Sequence, residues 1–408
     1  EHKSDVPIKA GQCLNDISIT YQHINKYDKA LKSIKESLHI RGELFGEVSD
    51  EYGQGLNNLS NFYSRTNNID KALHYGIKSR DINRKLHGAE NQTYALVTAN
   101  LAYSYHLKGD FDQALKLYFE SKLIYENSKE INFDWYASLL NNMALTYSLI
   151  RKFELSLIYQ KKAIKINQKL FGKLHFEVSR SISNLGGIFQ EMLLIDSALV
   201  YHNKALIIDE KLNLDSSMTY VRDLNYLGRD YELKGEFSKA IDKYEQALTL
   251  SKYLTGENTK SYFALTMKLA NLYRRIGNQK LAFELVQEYT DIDRYSFGSE
   301  WEYAMNNIIL SKIHLANEKY ELSLKFADRA LQLMKKKYGR KNPNYIGCLN
   351  HKLYVLAEFT SPEERIKLSK KNYKLASKYC DSNDFILSVA RSNLALLNYE
   401  LGNYQDAV

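Results

Sequence analysis

One small-residue position constrains what this chain can fold into. Alanine or serine stands at Ala30, Ala72, Ala114, Ser156, Ala198, Ala240 and Ala282, each 42 residues after the last. Ser323 follows after 41, and Ala407 lies a further 84 on. Other columns keep the same step. Nine residues before the small position stand Tyr21, Tyr63, Tyr105, Tyr147, Phe189, Tyr231 and Tyr273. Thirteen before it are Ile17, Leu59, Leu101, Met143, Leu185, Leu227, Leu269 and Leu310, each followed by Ser, Ala or Gly. Seven after it the residue is small again, from Ser37, Ser79 and Ser121 to Ala247 and Ala330. A chain that repeats one phrase folds as an array of like units, each burying its apolar face on its neighbours.

The spacing inside a unit is helical. Val97, Leu101 and Tyr105 recur every four residues, as along one face of a helix. Gly109–Asp110 ends that helix, because glycine tolerates the left-handed cap conformation. A second apolar-periodic helix runs from Phe111 to about Tyr125. Three prolines in 408 residues agree with an almost wholly helical chain, since proline breaks helix interiors. The expected fold is therefore all-α, an α-solenoid of about ten stacked helix hairpins. Residues 1–10 read as an N-terminal extension and 11–408 as the array. Its ninth unit is degenerate, with Pro362 where an aromatic residue is expected, and its tenth is incomplete.

The small, aromatic and glycine positions together resemble the tetratricopeptide repeat, whose usual period is about 34. The longer period, with LNNLS (56–60), LNNMA (140–144) and the connector KLFGKLHFEV (169–178), resembles the repeats of kinesin light chains. It also resembles the repeat arms of bacterial signalling proteins, among them those carrying a caspase-like CHAT peptidase. The resemblance implies a right-handed superhelix whose first helices line a concave groove that holds a protein or peptide segment.

Bulk properties narrow the remaining classes. The net charge of +8 points to an acidic partner without requiring nucleic acid. Cys13, Cys348 and Cys380 are odd in number and far apart, so they suit neither a disulfide framework nor a zinc site. No apolar run is long enough to span a membrane. A cytoplasmic location is expected, although the chain starts at Glu1 and a lost leader stays open. Catalytic fingerprints such as GxxxxGK[ST], HExxH and GxSxG are absent, so neither an enzyme nor a cofactor is expected. GQGLNN (53–58) falls inside a first helix and reads as repeat, not as a phosphate loop. His106 and His202 occupy repeat columns and read as helix-surface residues. Glu363–Glu364 reads as a helix start after Pro362, and KKKYGRKNP (335–343) as a solvated helix end.

Groove residues follow from the resemblance, column by column. One column holds Asn57, Asn141 and Asn225, and asparagine offers an extended peptide both a donor and an acceptor. The column four residues later holds Asn61, Tyr103, Arg229, Asn271 and Lys312. The intervening Asn58, Asn100, Asn142 and Asn184 are expected to tie neighbouring helices together. Arg180, Arg222, Arg229, Arg274, Arg275 and Lys312 stand against Glu191 and Glu232 in units 5 to 8, a basic stripe suited to an acidic segment. The expected activity is binding of a protein or peptide, as the sensing or regulatory arm of a longer polypeptide with, for example, a CHAT-type protease beyond Val408. The alternative is a self-contained receptor for a short signalling peptide.

Overall fold

The computed structural model describes the backbone of residues 2–23, 26–289, 300–382 and 384–407, and the side chains of 9–22, 26–289, 301–382 and 384–407. The described residues form helices and turns without a strand, and they divide into two compact units, Glu1–Thr255 and Gly256–Val408. The first unit holds α1 (His2–His23), α2 (Tyr27–Phe45), α3 (Asp50–Arg65), α4 (Ile69–His87), α5 (Gln92–Lys108) and α6 (Phe111–Asn127). It continues with α7 (Phe133–Leu149), α8 (Phe153–Phe171), α9 (Phe176–Glu191), α10 (Ile195–Lys211), α11 (Met218–Lys234) and α12 (Phe237–Thr255). The second unit holds α13 (Lys260–Arg275), α14 (Gln279–Val286), α15 (Glu300–Ala316) and α16 (Tyr320–Tyr338). After these come α17 (Pro343–Leu356), α18 (Pro362–Tyr379), α19 (Phe385–Glu400) and α20 (Tyr404–Ala407). Odd and even helices pair as hairpins. Helix α1 runs through residue 10, so the expected boundary between extension and array falls inside a helix. None of the described helices is long and apolar enough to cross a membrane.

The repeated columns are the packing surfaces of those hairpins. Every member of the small column from Ala30 to Ser323 is fully buried. Serine at these positions also bonds across the hairpin. Ser37, Ser79 and Ser121 donate to the carbonyls of Gly11, Gly53 and Ala95 at 2.6, 2.8 and 2.8 Å. Ser60 and Ser156 donate to Ala72 and Ala144 at 2.7 Å. These contacts satisfy hydroxyls that burial would otherwise leave costly.

The aromatic column stacks on the partner helix, with Tyr63 on Tyr75 at 5.6 Å, Tyr147 on Tyr159 at 5.6 Å and Phe189 on Tyr201 at 5.2 Å. Size is exchanged across the crossing as well. A Cβ on Gly186 would lie 2.5 Å from the His202 ring, and one on Gly228 would lie 2.7 Å from the Tyr244 ring. His202 and Tyr244 on the second helices therefore require glycine at 186 and 228, whereas the equivalent Tyr118 is accommodated with Ala102.

The left-handed turn after the first helix is a property of the position. Gly109, Gly235 and Gly277 adopt φ of 85°, 83° and 87° there, but Asn67, Arg151 and Leu193 do so too, at 60°, 59° and 61°. The hairpin geometry imposes the conformation, and a branched residue such as Leu193 carries a cost on the order of 1–2 kcal/mol. In the ninth hairpin Pro362 occupies the first turn of α18, with Ser361 and Glu364 forming a reciprocal capping box. Glu363 and Glu364 do sit at a helix start, and Lys335–Lys337 do sit in the last turn of α16.

Candidate peptide-binding surface

Two columns four residues apart on the same helices have different fates. The column of Asn57 and Asn141 lies inside the stack: Asn57 is 8% exposed and Asn141 4%. Asn57 Oδ1 accepts from Asn100 Nδ2 at 3.1 Å, just as Asn15 accepts from Asn58 at 2.7 Å in the preceding pair. Asn141 donates to Ser181 Oγ at 3.2 Å and accepts from Gln160 at 2.6 Å. The expectation that Asn57 and Asn141 are open groove residues is thereby corrected: both bridge successive first helices. Asn225 is half-buried in the same column. Asn58 and Asn100 are the helix ties expected of them.

A polar seam runs beside this column. Ser64 meets Ser104 at 3.0 Å, His106 meets Thr146 at 2.8 Å, Ser183 donates to Asp223 at 2.8 Å and His351 meets Ser311 at 2.8 Å. Each bond joins one first helix to the next. His202 belongs to this interior, against the surface reading: it is fully buried, with Nδ1 2.5 Å from Asp230 Oδ2. Gly53 and Gly55 of the GQGLNN stretch are buried where α3 meets α4 and α2, so their role is close helix approach.

The second column looks outward. Asn61 and Tyr103 are half-buried, Arg229 and Lys312 exposed, and a side chain at Gly187 would meet open space. Tyr103 stacks on His106 at 5.6 Å. Burial raises its hydroxyl pKa, against a smaller lowering by Arg65.

The basic residues divide by unit. In the first unit each has its own acid. Arg180 pairs with Glu177 one turn before it, Arg222 Nε lies 2.9 Å from Asp223, and Arg229 lies 3.4 Å from Glu191. Burial works against the Arg222 charge, but Asp223 carries its pKa above the ordinary value. The expectation of a largely uncompensated stripe fails for Arg180, Arg222 and Arg229. In the second unit Arg274 donates to Asn271 Oδ1 at 3.0 Å, and among the described residues neither Arg274 nor Lys312 has an ion-pair partner. Burial lowers the Arg274 pKa and neighbouring Arg275 lowers it further. Lys312 is exposed as a residue, yet the protein around its ammonium lowers its pKa, and Arg274 adds to that. His351 is held down to about 4, by burial first and then by Lys312 and Arg274. Two cations, Arg274 on α13 and Lys312 on α15, therefore share a field with the buried, neutral His351 on α17.

A cleft of about 560 Å³ opens in the first unit between α3, α4, α5 and α7. Asn57, Asn58 and Asn83 line it together with Asp50, Glu51 and Gln54, and Leu96 and Trp135 add apolar surface. Of these only Asn57 was anticipated. A signal for Asn83 does exist in the sequence. Arg41, Asn83, Asn167, Asp209 and Ser251 repeat at the 42-residue step or twice it, as polar residues at a buried position of the second helix. Among the described residues no group of three or more His, Cys, Asp or Glu side chains is placed to hold a metal ion.

Tetratricopeptide-repeat models match residues 11–50, 51–127, 135–211 and 181–253, which is more than half of the chain. The chain belongs to the tetratricopeptide-repeat family. Its fold is similar to that of a Rap protein crystallised with competence and sporulation factor, at TM-score 0.55 and 12% identity, covering 99% of this chain and 100% of that one. RapI in its apo form gives TM-score 0.54 and 13% identity, covering 88% and 97%. BtubC (BKLC) from P. vanneervenii gives 0.42 and 21%, covering 57% and 91%. No curated protein matches the sequence. The chain is thus a tetratricopeptide-repeat scaffold of the kind that binds proteins or peptides.

Proposed function

We propose that this tetratricopeptide-repeat protein binds an acidic partner segment, and that Arg274 and Lys312 in the second unit hold its carboxylates. The carrying observation is the crowding of Arg274, Lys312 and His351 without a carboxylate partner among the described residues. Burial first, and the neighbouring cation second, disfavour the charged forms of Arg274 and Lys312, and an anion beside them would offset both effects. An arginine fork adds directional contact with a carboxylate. Asn271, bonded to Arg274 in the second unit, would meet the same segment. In the first unit by itself, Asn61, Tyr103 and Arg229 are proposed as outward contacts for a partner. Arg275, next to Arg274, is proposed for the same basic set, whereas Arg180 and Arg222 of the first unit are engaged by acids of their own helices.

Titration calorimetry with the capped peptide Ala-Glu-Glu-Leu-Glu-Ala at two salt concentrations tests this. Arg274→Glu with Lys312→Glu is expected to abolish binding, while Lys335→Glu at the α16 end leaves it unchanged. Equal losses from both, or none from the first, would overturn the assignment.

The 42-residue period supports a wider reading in which this chain is the regulatory arm of a cytoplasmic signalling protein, for example one bearing a CHAT-type protease. A self-contained peptide receptor is the second reading, favoured by the similarity to the Rap protein crystallised with competence and sporulation factor, which extends over almost the whole chain. The coding sequence downstream of Val408 separates them. A cysteine–histidine peptidase supports the first, and an early stop codon supports the second.

A further inference from the structure

The cleft of the first unit differs in chemistry from the basic cluster of the second. Its floor is amide. Asn57 is 8% exposed and uses its Oδ1 to accept from Asn100, leaving its Nδ2 donor without a partner among the described residues. Asn83 is 3% exposed and uses its Nδ2 to donate to the Ser79 carbonyl at 2.9 Å, leaving its Oδ1 acceptor likewise unused. Both line the cleft, and both flank Gly53, where a Cβ would lie 3.1 Å from Asn83. Each amide spends part of its hydrogen-bonding capacity inside the fold while its residue lines the cleft, so the spare group can meet water or an incoming ligand there. One spare donor beside one spare acceptor matches the C=O and N–H of an extended main chain.

The rim is acidic. Asp50 and Glu51 form the first turn of α3 and line the same cleft. Asp50 contacts His87, and Glu51 lies in the field of buried Arg41, whose Nη1 bonds the Glu51 carbonyl at 3.0 Å and Gln54 at 2.9 Å. Among the described residues the Glu51 carboxylate itself has no ion-pair partner. Half-buried Trp135 supplies an indole face on the opposite wall, from α7. A flexible cationic side chain suits this combination, since an ammonium or guanidinium is attracted both to a carboxylate and to an indole face. The volume of about 560 Å³ lies within the range of small-ligand sites and admits a few residues, not a folded surface.

We infer that this cleft holds an extended peptide segment bearing an arginine or lysine, with Asn57 and Asn83 on its main chain and Glu51, Asp50 and Trp135 around its cation. This rests on the reading of the chain as a peptide-binding scaffold and adds to it a second site of opposite preference.

The probes are the capped peptides Ala-Ala-Arg-Leu-Ala-Ala and Ala-Ala-Glu-Leu-Ala-Ala, titrated calorimetrically into the whole chain. The arginine peptide is expected to bind and the glutamate peptide not to bind at this cleft. Asp50→Asn with Glu51→Gln should weaken the arginine peptide about five- to tenfold, and Trp135→Ala by a similar factor. Arg274→Glu with Lys312→Glu should leave it unchanged. Circular dichroism melts confirm that each variant folds, because Asp50 and Glu51 also favour the α3 N-terminus. Should the arginine peptide bind with undiminished affinity to both cleft variants, or bind no better than its glutamate counterpart, the inference fails. If Ala-Glu-Glu-Leu-Glu-Ala still binds through Arg274 and Lys312, that failure leaves the scaffold reading intact. Silence of all three peptides would remove both.

Discussion

Arg229 in the first unit and Lys312 in the second come from one sequence column, yet only one of them is spoken for. Arg229 reaches Glu191 on the preceding first helix, and its neighbours Arg222 and Arg180 are matched by Asp223 and Glu177. Lys312 faces Arg274 and His351 instead: beyond the effect of burial, Arg274 lowers the proton affinity of Lys312, and both cations lower that of His351. The column gives the direction of a side chain. Whether its charge is available depends on the adjacent helices, which differ between the two units. A count of cations therefore overstates the field in one unit and describes it fairly in the other.

The largest effect should come from breaking the pairing in the first unit. Asp223 is fully buried and accepts from both Ser183 and Arg222. Asp223→Ala strands the Arg222 guanidinium and is expected to cost about 3 kcal/mol in urea unfolding. Arg274→Met in the second unit should change stability by less than about 0.5 kcal/mol, because it breaks no ion pair. Equal costs would erase the distinction between the units.

Acid should act next, and in the opposite unit. His351 is buried with a pKa of about 4, below its ordinary 6.5. Its folded form binds protons less readily than the unfolded chain does. The stability it contributes is therefore complete above about pH 6.5 and is lost as pH falls through 4, by an amount on the order of 2 kcal/mol. The His351→Gln variant should lose that part of the pH dependence in a melting series from pH 7 to 4. An anionic peptide at Arg274 and Lys312 should also reduce it, by restoring the histidine's proton affinity. A peptide without that influence would place the acidic segment elsewhere.

A third test repeats the comparison on a single helix. Asn57→Ala removes a seam bond and should lower stability by about 1–2 kcal/mol. Asn61→Ala, one turn on at the outward column, should stay within about 0.5 kcal/mol. The smallest effect is favourable: Leu193→Gly relieves a left-handed leucine and should add about 1 kcal/mol, while Gly109→Ala should subtract a similar amount. If Leu193→Gly proves destabilising, contacts of the leucine side chain outweigh its backbone strain.

Repetition made the architecture legible. The 42-residue step marked the buried small column from Ala30 to Ala282 and the left-handed turn at Gly109, because packing one hairpin on the next imposes the same steric demand each time. That logic also led to the error at Asn57 and Asn141. Periodicity shows that a column is shared, but Asn57 and Asn61 stand one turn apart, only about 40° round the helix, and spacing alone does not say which of them the next hairpin covers. Asparagine is chemically at home in both. Asn58 and Asn100 are the ties expected from the sequence, but that Asn57 joins them is seen only through its bond to Asn100, 43 residues away.

The sequence by itself determined the fold class, the hairpin count and the positions that must be small, since these depend on spacing and volume along the chain. The tertiary structure decided which polar groups remain for a partner. A charge or amide is available only if no group on the neighbouring helix has already met it, and such meetings occur across loops and repeats that no local pattern records. Glu51, Asn83 and Trp135 share a cleft because three successive hairpins converge there, and among the described residues Arg274 and Lys312 have no ion-pair partner.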